Sequence, residues 1–359
     1  MSSSAIEIGA LAPLSRPGWV EAGEHLLAGM ELAALEINEA GGIAGRLLRL
    51  VVRDTAADPN TAMTAVDELA RLGVVALAGE YHSVVARAAA ARAHALGLPF
   101  LCASAVLDAL CEQPSRWVAR LAPAQSHGWR IYPDFLLGEG HRRIAVAADA
   151  SVYWAAGTVI LREHLAARGG VLIELDARAL SPAALCDQLF EQRATAVLML
   201  AGHPEPAVPI VKAVRHDPRL AGMRIGAPAG QPEFAEWMAA LGVDGAAIPF
   251  LRYLPERLGS SAMRIEAALR ERLGVAPSFV AFEGYDAIAV LAEAMRSHGA
   301  RREGIADAWS HVSFEGSRGS FRFSRVPGID VLQWAWPPVQ VVERDPSQPD
   351  RFRVLRTGA

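Results

Sequence analysis

The chain has 359 residues, 52% of them hydrophobic and 21% charged, which is enough to bury the cores of two or three ordinary domains. Its formal net charge of −4 gives no broad basic surface, which argues against nucleic acids and anionic membranes as partners. Lys212 is the one lysine among 35 basic residues. Schiff-base and P-loop chemistry both depend on lysine, so both are disfavoured.

No stretch reaches the roughly 18 apolar residues that a membrane helix needs, so we expect no insertion into a membrane. Residues Met1 to Ala5 lack the basic and apolar regions of a secretory signal, which leaves two interpretations: a removed signal or a cytoplasmic protein. The three cysteines are odd in number and lack metal-ligand spacing. We expect Cys102 and Cys111 to be unpaired and buried rather than bridged across their short loop.

Strand-like and helix-like patterns alternate in the first third of the chain. The predicted strands are Ala5 to Leu11, Leu47 to Arg53, Val74 to Ala78 and Pro99 to Cys102. The helices predicted between them cover residues 21–40, 60–72 and 83–96. This alternation predicts an α/β fold with a parallel sheet.

The pattern restarts after Pro123 and continues almost to the end of the chain. Strands are predicted at residues 143–148, 171–176 and 196–200, with helices ending at 137 and covering 155–168, 183–192 and 205–215. Two further helices, 257–273 and 279–298, precede a tail with strands at 339–343 and 352–355. Two βα halves imply two lobes.

Catalytic signatures are absent from the sequence. There is no G-x-G-x-x-G after a strand, no G-x-S-x-G, no H-E-x-x-H and no C-x-x-C. The segment from Gly316 to Ser320 lies between aromatic strands with no helix after it, so we predict a hairpin turn rather than a phosphate loop. His203-Pro204-Glu205 is interpreted as a loop that opens a helix. We therefore expect no enzyme activity, no cofactor and no metal site.

One run carries a family resemblance. Residues Glu36 to Arg46 end an amphipathic helix with Gly41-Gly42 and lead directly into a strand. With Asp54, Asp58-Pro59 and the segment Gly79 to Ser83, the chain resembles type I periplasmic binding proteins, especially the receptors for branched-chain amino acids and amides. The resemblance implies two Rossmann-like lobes with parallel sheets, joined by a hinge of three crossovers. Lobe 1 would comprise residues 1–122 plus 252–327, and lobe 2 would comprise 123–251 plus 328–359.

The corner from Gly79 to Ser83 is the first candidate for ligand binding, because ligands of open parallel sheets bind outside the carboxyl ends of the strands. Ser83 is predicted as the N-cap of the following helix, and on the residues alone a plain cap is the simpler interpretation. The resemblance implies more. Ser83 would hold a ligand carboxylate or amide, with Tyr81 as an aromatic contact and His82 in the same corner.

Two neighbouring loops complete the predicted site of lobe 1. The resemblance implies that Cys102 and Ala103 offer backbone groups and that Ser104 offers a side-chain donor. A simple strand end packed with small residues is the alternative. Trp19 would be an aromatic lid over the ligand, or else a tryptophan that closes the edge of the core.

In lobe 2 the resemblance implies that Tyr153 contacts the ligand when the lobes close. Gly202 and Ala229 stand where amino acid receptors carry a tyrosine and near where they carry an acidic partner for the ligand ammonium. A buried ammonium without that partner costs several kcal/mol, so an amide, an aromatic acid or a larger apolar carboxylate is favoured over an α-amino acid. Three acids remain as substitutes for the missing partner: Glu80, Asp149 and Glu233.

The function implied is non-catalytic capture of a small polar molecule by hinge closure, with delivery to an ABC transporter permease and a periplasmic location. A cytoplasmic amide-type sensor that regulates another protein is the second hypothesis. A cleft hydrolase using Ser83 and His82 is the third. Adjacent residues at a helix start rarely face one another, so it ranks last.

Overall fold

The computed structural model describes residues 5–348 and 351–358, which form two compact units. Unit 1 comprises the chain up to Ala124 together with Tyr253–Pro338. Unit 2 comprises Gln125–Arg252 together with the chain from Val339 onward. Both units combine parallel strands with helices, which confirms the predicted α/β class. No helix in these described ranges is long and apolar enough to cross a membrane.

The strands, in chain order, are β1 Ile6–Ala12, β2 Leu48–Asp54, β3 Ala76–Gly79, β4 Phe100–Cys102, β5 Val118–Arg120, β6 Arg143–Ala148, β7 Val171–Asp176, β8 Ala196–Leu200, β9 Arg224–Gly226, β10 Phe250–Arg252, β11 Ser313–Glu315, β12 Ser320–Ser324, β13 Leu332–Trp334, β14 Val339–Arg344 and β15 Phe352–Gly358. The α-helices are α1 Val20–Glu39, α2 Pro59–Leu72, α3 Ser83–Ala95, α4 Gln125–Gly138, α5 Val152–Ala166, α6 Pro182–Glu191, α7 Ala207–His216, α8 Ala235–Leu241, α9 Ser260–Leu273, α10 Phe279–His298 and α11 Arg302–Ala308.

Unit 1 is built on one sheet with the strand order β2-β1-β3-β4-β5-β13-β12-β11. The strands from β2 to β13 are parallel, whereas β12 and β11 are antiparallel additions at the end. Strands β3, β4 and β5 are buried along their whole length, as expected for parallel strands covered by helices on both faces. The carboxyl ends of these strands therefore lie side by side at one edge.

Unit 2 contains two sheets. The first is parallel with the order β7-β6-β8-β9, and the second is antiparallel with the order β10-β14-β15. The tail strands predicted at 339–343 and 352–355 are therefore present as β14 and β15. Tyr132 of α4 donates its hydroxyl hydrogen to the carbonyl of Pro249 at 2.6 Å, which ties the helix to the segment before β10.

Paired glycines end α1 as predicted. Gly41 and Gly42 both have positive φ, at 95° and 73°, and a Cβ on Gly42 would lie 2.1 Å from the carbonyl oxygen of Arg46. The side chain of Asn38 then fixes the return of the chain, because it donates to the carbonyl of Leu48 and accepts from its N–H at 2.9 and 2.7 Å. The run is therefore a structural link between α1 and β2.

The hairpin predicted around residues 316–320 is confirmed, since β11 and β12 pair antiparallel on either side of it. Its tip carries Arg318, which is 2% exposed and ion-paired with two acids of α10. The guanidinium lies 2.7 Å from Asp286 and 3.2 Å from Glu283. Gly316 permits this approach, because a Cβ there would lie 2.2 Å from the ring of Phe321. The hairpin thus brings one buried cation to two buried carboxylates.

The third boundary between lobes differs from the prediction. Residues 328–338 were placed in lobe 2, whereas the structure includes them in unit 1. The reason is that β13 pairs in parallel with β5, with Leu332 opposite Ala119 and Gln333 opposite Arg120. All three cysteines are free and buried, so Cys102 and Cys111 are unpaired as predicted.

Candidate functional site

The candidate site of unit 1 lies at the carboxyl edge of its sheet. Gly79 at the end of β3 is paired in register with Cys102 at the end of β4, and Cys102 is paired with Arg120 at the end of β5. The loop after β4 is bonded to the corner after β3, because Ala103 donates its N–H to the carbonyl of Gly79 at 2.7 Å. The predicted residues of unit 1 therefore sit on adjacent loops: Trp19, Tyr81, His82, Ser83, Cys102, Ala103 and Ser104.

Ser83 is the first residue of α3 rather than its cap. His82 occupies the N-cap position, and the first intrahelical bond runs from Ala86 N–H to the His82 carbonyl. The predicted N-cap assignment is therefore wrong by one residue. The reason is that the Ser83 hydroxyl oxygen faces the next loop, where it accepts the N–H groups of Val106 and Leu107, each at 3.3 Å.

These two bonds determine what the hydroxyl of Ser83 offers next. A hydroxyl has two acceptor lone pairs and one hydrogen to donate. With both lone pairs directed at N–H groups, its hydrogen is available to an acceptor. Ser83 is 9% exposed, so a partner at this position would be largely shielded from water.

Arg120 holds the same loop from the other side, and sequence analysis did not identify it. Its guanidinium donates to the carbonyls of Val106 and Leu107 at 3.1 and 2.6 Å, and to the side-chain oxygen of Gln333 at 2.7 Å. The side chain is fully buried, and this burial lowers the pKa of Arg120. Ser83 and Arg120 together clamp two successive peptide groups. The sequence shows only an arginine after two apolar residues, which is no sign of burial.

Glu80 is the other residue whose structural role the sequence did not reveal. Its carboxylate is fully buried and accepts the N–H groups of Tyr81 and His82, each at 2.9 Å. It also lies 3.3 Å from Nδ1 of His82, and it accepts the hydroxyl of Thr55 at 2.7 Å. The Glu80 side chain thus fixes the backbone of the corner by hydrogen bonds from its buried side.

Trp19 borders this corner through its backbone. It is the half-buried residue before α1, and its N–H donates to Nε2 of His82 at 3.4 Å. The rings of Tyr81 and His82 meet edge to face, with centroids 5.1 Å apart. The tryptophan is therefore placed beside the corner, where an aromatic lid was predicted. Whether it contacts a ligand stays a prediction.

Cys102 and Ser104 point inward. Burial raises the pKa of the Cys102 thiol to about 12, and its Sγ lies 3.6 Å from the carbonyl of Ala105, so this residue is an uncharged thiol. Ser104 is 5% exposed. Burial raises the pKa of Glu283 in α10 to about 7, while Arg318 and then the Ser104 hydroxyl oppose that rise. The Ser104 side chain thus faces α10, and its predicted role as a ligand donor stays a prediction.

Ser83 and His82 do not form the nucleophile–base pair that the hydrolase hypothesis requires. The His82 ring is engaged by Glu80 at one nitrogen and by the Trp19 N–H at the other. The hydrogen bonds that Ser83 accepts come from backbone N–H groups. A serine nucleophile requires its base within hydrogen-bond reach, and the two residues do not bond to one another.

The predicted residues of unit 2 follow three strands of its parallel sheet. Tyr153 is the second residue of α5, after β6, and its ring packs against Trp129 and Trp154 with centroids 5.6 and 4.6 Å away. Burial raises the pKa of Tyr153. Gly202 follows β8, and Ala229 lies in the loop after β9.

Gly202 is held close to other groups. A Cβ at this position would lie 2.9 Å from the carbonyl oxygen of Glu205 and 3.9 Å from a carboxylate oxygen of Asp149. A larger residue would require the Glu205 backbone to move. The glycine is therefore part of the local packing. There is no open space at this position that a tyrosine side chain could fill without a backbone shift.

Each of the three acids considered as a substitute ammonium partner already has partners of its own. The Glu80 carboxylate accepts hydrogen bonds from Thr55, Tyr81 and His82. Asp149 receives two hydrogen bonds from Arg178, at 2.5 and 2.8 Å. Glu233, whose side chain is 1% exposed, is paired with Arg252 at 3.0 Å. An incoming ammonium would have to displace an existing contact at any of them.

One comparison with known proteins identifies a family. A family model described as periplasmic binding protein matches residues 5–328. No curated protein matches the chain.

Several solved structures share the fold. The branched-chain amino acid substrate-binding protein LivJ from Streptococcus pneumoniae, in complex with isoleucine, has a TM-score of 0.83 and 20% identity, covering 99% of this chain and 100% of that one. The leucine binding protein LivK from Thermotoga maritima has a TM-score of 0.82 and 18% identity, covering 98% of each chain. A solute binding protein from R. palustris, in complex with benzoate, has a TM-score of 0.79 and 18% identity, covering 98% of this chain and 96% of that one.

Proposed function

Because the chain belongs to the periplasmic binding protein family, we propose that it is the ligand-binding component of an ABC-type uptake system. It captures a small molecule at the carboxyl edge of the unit 1 sheet and passes it to a permease. Its place of action is the periplasm. The observation that carries the proposal is the hydroxyl of Ser83, whose two acceptor positions are filled by Val106 and Leu107 N–H groups.

The ligand group at this corner is an acceptor. The Ser83 hydroxyl donates, and the N–H groups at the start of α3 and the positive end of the helix dipole favour the same kind of group. A carboxylate fits best, since hydrogen bonds to charged groups are the stronger ones. An amide oxygen is the weaker fit.

The rest of the ligand carries no cationic amine. Similar proteins bind isoleucine in one case and benzoate in another, so the fold accommodates acids with and without an ammonium group. In this chain Asp149 is paired with Arg178 and Glu233 is paired with Arg252. The third candidate acid, Glu80, accepts hydrogen bonds from its own corner. A buried ammonium without a carboxylate is unfavourable by several kcal/mol. We therefore propose an aromatic or branched aliphatic carboxylate as the ligand.

A matched pair of compounds tests the ligand class. L-Leucine and 4-methylpentanoate differ only in the α-ammonium group, and benzoate adds an aromatic acid. We expect the two simple carboxylates to raise the melting temperature saturably, since a ligand at a hundredfold excess over its dissociation constant stabilises the folded state by about 2.7 kcal/mol. L-Leucine is expected to have no effect at the same concentration.

The outcomes separate the two parts of the proposal. Tighter binding of L-leucine than of 4-methylpentanoate would overturn the ligand class and leave a solute receptor. Chemical conversion of any compound would overturn the receptor function itself. A flat response to all carboxylates, amides and amino acids would also count against a receptor for small polar molecules.

A further inference from the structure

Glu80 is a carboxylate in an unusual setting. It is fully buried. Within residues 5–348 and 351–358, its one ion-pair contact is with the neighbouring His82, at 3.3 Å, and it forms no ion pair with an arginine or lysine. Taking an isolated carboxylate out of water is costly unless its oxygens are well hydrogen-bonded. Glu80 meets that condition with four bonds.

The bonds are divided between the two oxygens. Oε1 accepts the N–H groups of Tyr81 and His82 and also faces Nδ1 of the His82 ring. Oε2 accepts the hydroxyl of Thr55. Thr55 follows β2, and its N–H is bonded to the carbonyl of Ala12 at the end of β1. One carboxylate therefore joins the loop after β2 to the corner after β3.

The contact with the His82 ring extends this connection to a third loop. Nε2 of His82 accepts the N–H of Trp19, so in the neutral imidazole the ring hydrogen must lie on Nδ1. There it faces Oε1 of Glu80. The order of donors and acceptors is consistent from end to end: Trp19 donates to His82, and His82 donates to Glu80.

We propose that Glu80 is a positioning residue for ligand binding: it holds Trp19, Tyr81 and His82 in place and fixes the tautomer of His82, without contacting the ligand itself. The inference rests on the proposed function, because it takes those three residues as ligand contacts. Glu80 is unsuited to direct contact, since it is fully buried and its oxygens are already occupied. Its negative charge matters because charge-assisted hydrogen bonds are about twice as strong as neutral ones.

The first test needs no ligand. Nitrogen NMR of the histidine rings reports which ring nitrogen carries the hydrogen, with His82→Gln used to assign the signal. We expect the Nδ1–H form of His82 in the wild-type chain and a shift toward the Nε2–H form in Glu80→Gln, which keeps the size of the side chain and removes the charge. A wild-type ring in the Nε2–H form, or a ring unchanged by the substitution, would overturn the proposal.

The second test measures affinity for benzoate and 4-methylpentanoate by calorimetry. Glu80→Gln is expected to weaken binding by about tenfold, since several bonds lose strength together. The melting temperature should change little, because removing a buried charge offsets the lost bonds. Thr55→Val should give a smaller loss of affinity, because only the Oε2 bond is removed.

Glu343→Gln provides the matched control. Glu343 is also fully buried, but it belongs to unit 2 and its partners are Arg224 and Arg353. This variant is expected to lose stability while the His82 tautomer stays as in the wild type. If Glu343→Gln changed the tautomer or the affinity as much as Glu80→Gln, the effect would be general destabilisation and the positioning role would be wrong. Failure of the wild type to bind either compound would refute the proposed function, and the tautomer measurement would still decide the role of Glu80.

Discussion

The carboxyl edges of the two parallel sheets are built differently. In unit 1, fully buried charged side chains join separate loops: Arg120 holds the loop at residues 106–107, and Glu80 joins Thr55, after β2, to His82, after β3. In unit 2, the corner after β6 is held by a local cap, in which Ser151 accepts the N–H of Tyr153, and by the pair of Asp149 with the exposed Arg178. Two buried amide side chains add neutral bonds: Gln125 donates to the carbonyl of Tyr153 at 3.1 Å, and Gln231 donates to the carbonyl of Ala201 at 3.0 Å.

This difference predicts that the two edges contribute differently to ligand binding. Loops fixed by buried hydrogen bonds lose little further freedom when a ligand arrives, so more of the interaction energy appears as affinity. A corner held mainly by a local cap, an arginine that is largely in water and neutral hydrogen bonds has weaker constraints. We therefore expect the unit 1 edge to determine affinity and the unit 2 edge to tune selectivity.

The largest expected effect concerns the buried acids of unit 1 and their dependence on pH. Glu283 and Asp286 share the single guanidinium of Arg318, and burial raises the pKa of Glu283 to about 7 and also raises that of Asp286. Between pH 4.5, the ordinary pKa, and pH 7, the folded chain binds more protons than the unfolded chain. The free energy of unfolding therefore falls as the pH rises through this window.

Glu283→Gln should remove that part of the pH dependence. Relative to the variant, the wild type is expected to lose on the order of a few kcal/mol between pH 4.5 and pH 7, measured by urea unfolding at several pH values. Glu233→Gln is the comparison in unit 2, where the buried Glu233 is ion-paired with Arg252 at 3.0 Å. Equal slopes for the wild type and Glu283→Gln would show that Glu283 does not hold a proton in this range.

The next effect separates the serines of the two corners. Ser83→Ala should weaken binding of benzoate or 4-methylpentanoate by about 10- to 100-fold, because a hydrogen bond to a charged group contributes about 1.5–3 kcal/mol. It should also lower the free energy of unfolding by about 1–3 kcal/mol, since the N–H groups of Val106 and Leu107 lose their acceptor.

Ser151→Ala is the control from unit 2. It removes the cap of α5 and should lower the free energy of unfolding by about 1 kcal/mol. Its effect on affinity should be much smaller than that of Ser83→Ala. Similar losses of affinity in both variants would contradict the dominance of the unit 1 edge.

Much of the fold followed from local patterns in the sequence. Apolar runs such as β6 and β8 alternate with helical periods, and the glycine pair at 41–42 marks the end of α1 without any knowledge of its neighbours. The three-residue strand β13 lay beyond such reasoning. It is too short to show a period, and only its pairing with β5 assigns residues 328–338 to unit 1.

The sequence predicted that the candidate residues lie near one another, but it did not predict their contacts. The expectation that ligands bind at the carboxyl ends of parallel strands directed attention to the corner after β3, yet the residue pattern placed Ser83 in the N-cap, where His82 stands. Arg120 and Glu80 were not predicted as anchors of the loops, because a charged residue is expected at the surface unless it is paired. The partners of Arg120 are 13 to 213 residues away, and Glu80 is bonded to Thr55, 25 residues away, as well as to its neighbours Tyr81 and His82. No local pattern encodes the long separations.

The smallest effect tests whether the occupied acids of unit 2 set selectivity. Arg178 is 62% exposed, so its pair with Asp149 contributes little to stability, but it neutralises a carboxylate that lies beside Gly202. Arg178→Ala should leave the melting temperature nearly unchanged and shift the ratio of L-leucine to 4-methylpentanoate affinity by about threefold toward L-leucine. Arg162→Ala, which breaks the pair of a half-exposed arginine with the half-exposed Glu174, is the control and should leave the ratio unaltered. If both variants shift the ratio equally, a general change in surface charge explains it. If neither does, Asp149 is too far from the bound ligand to select against an ammonium group, and the preference for simple carboxylates then rests on the donor at Ser83 and on the other two acids.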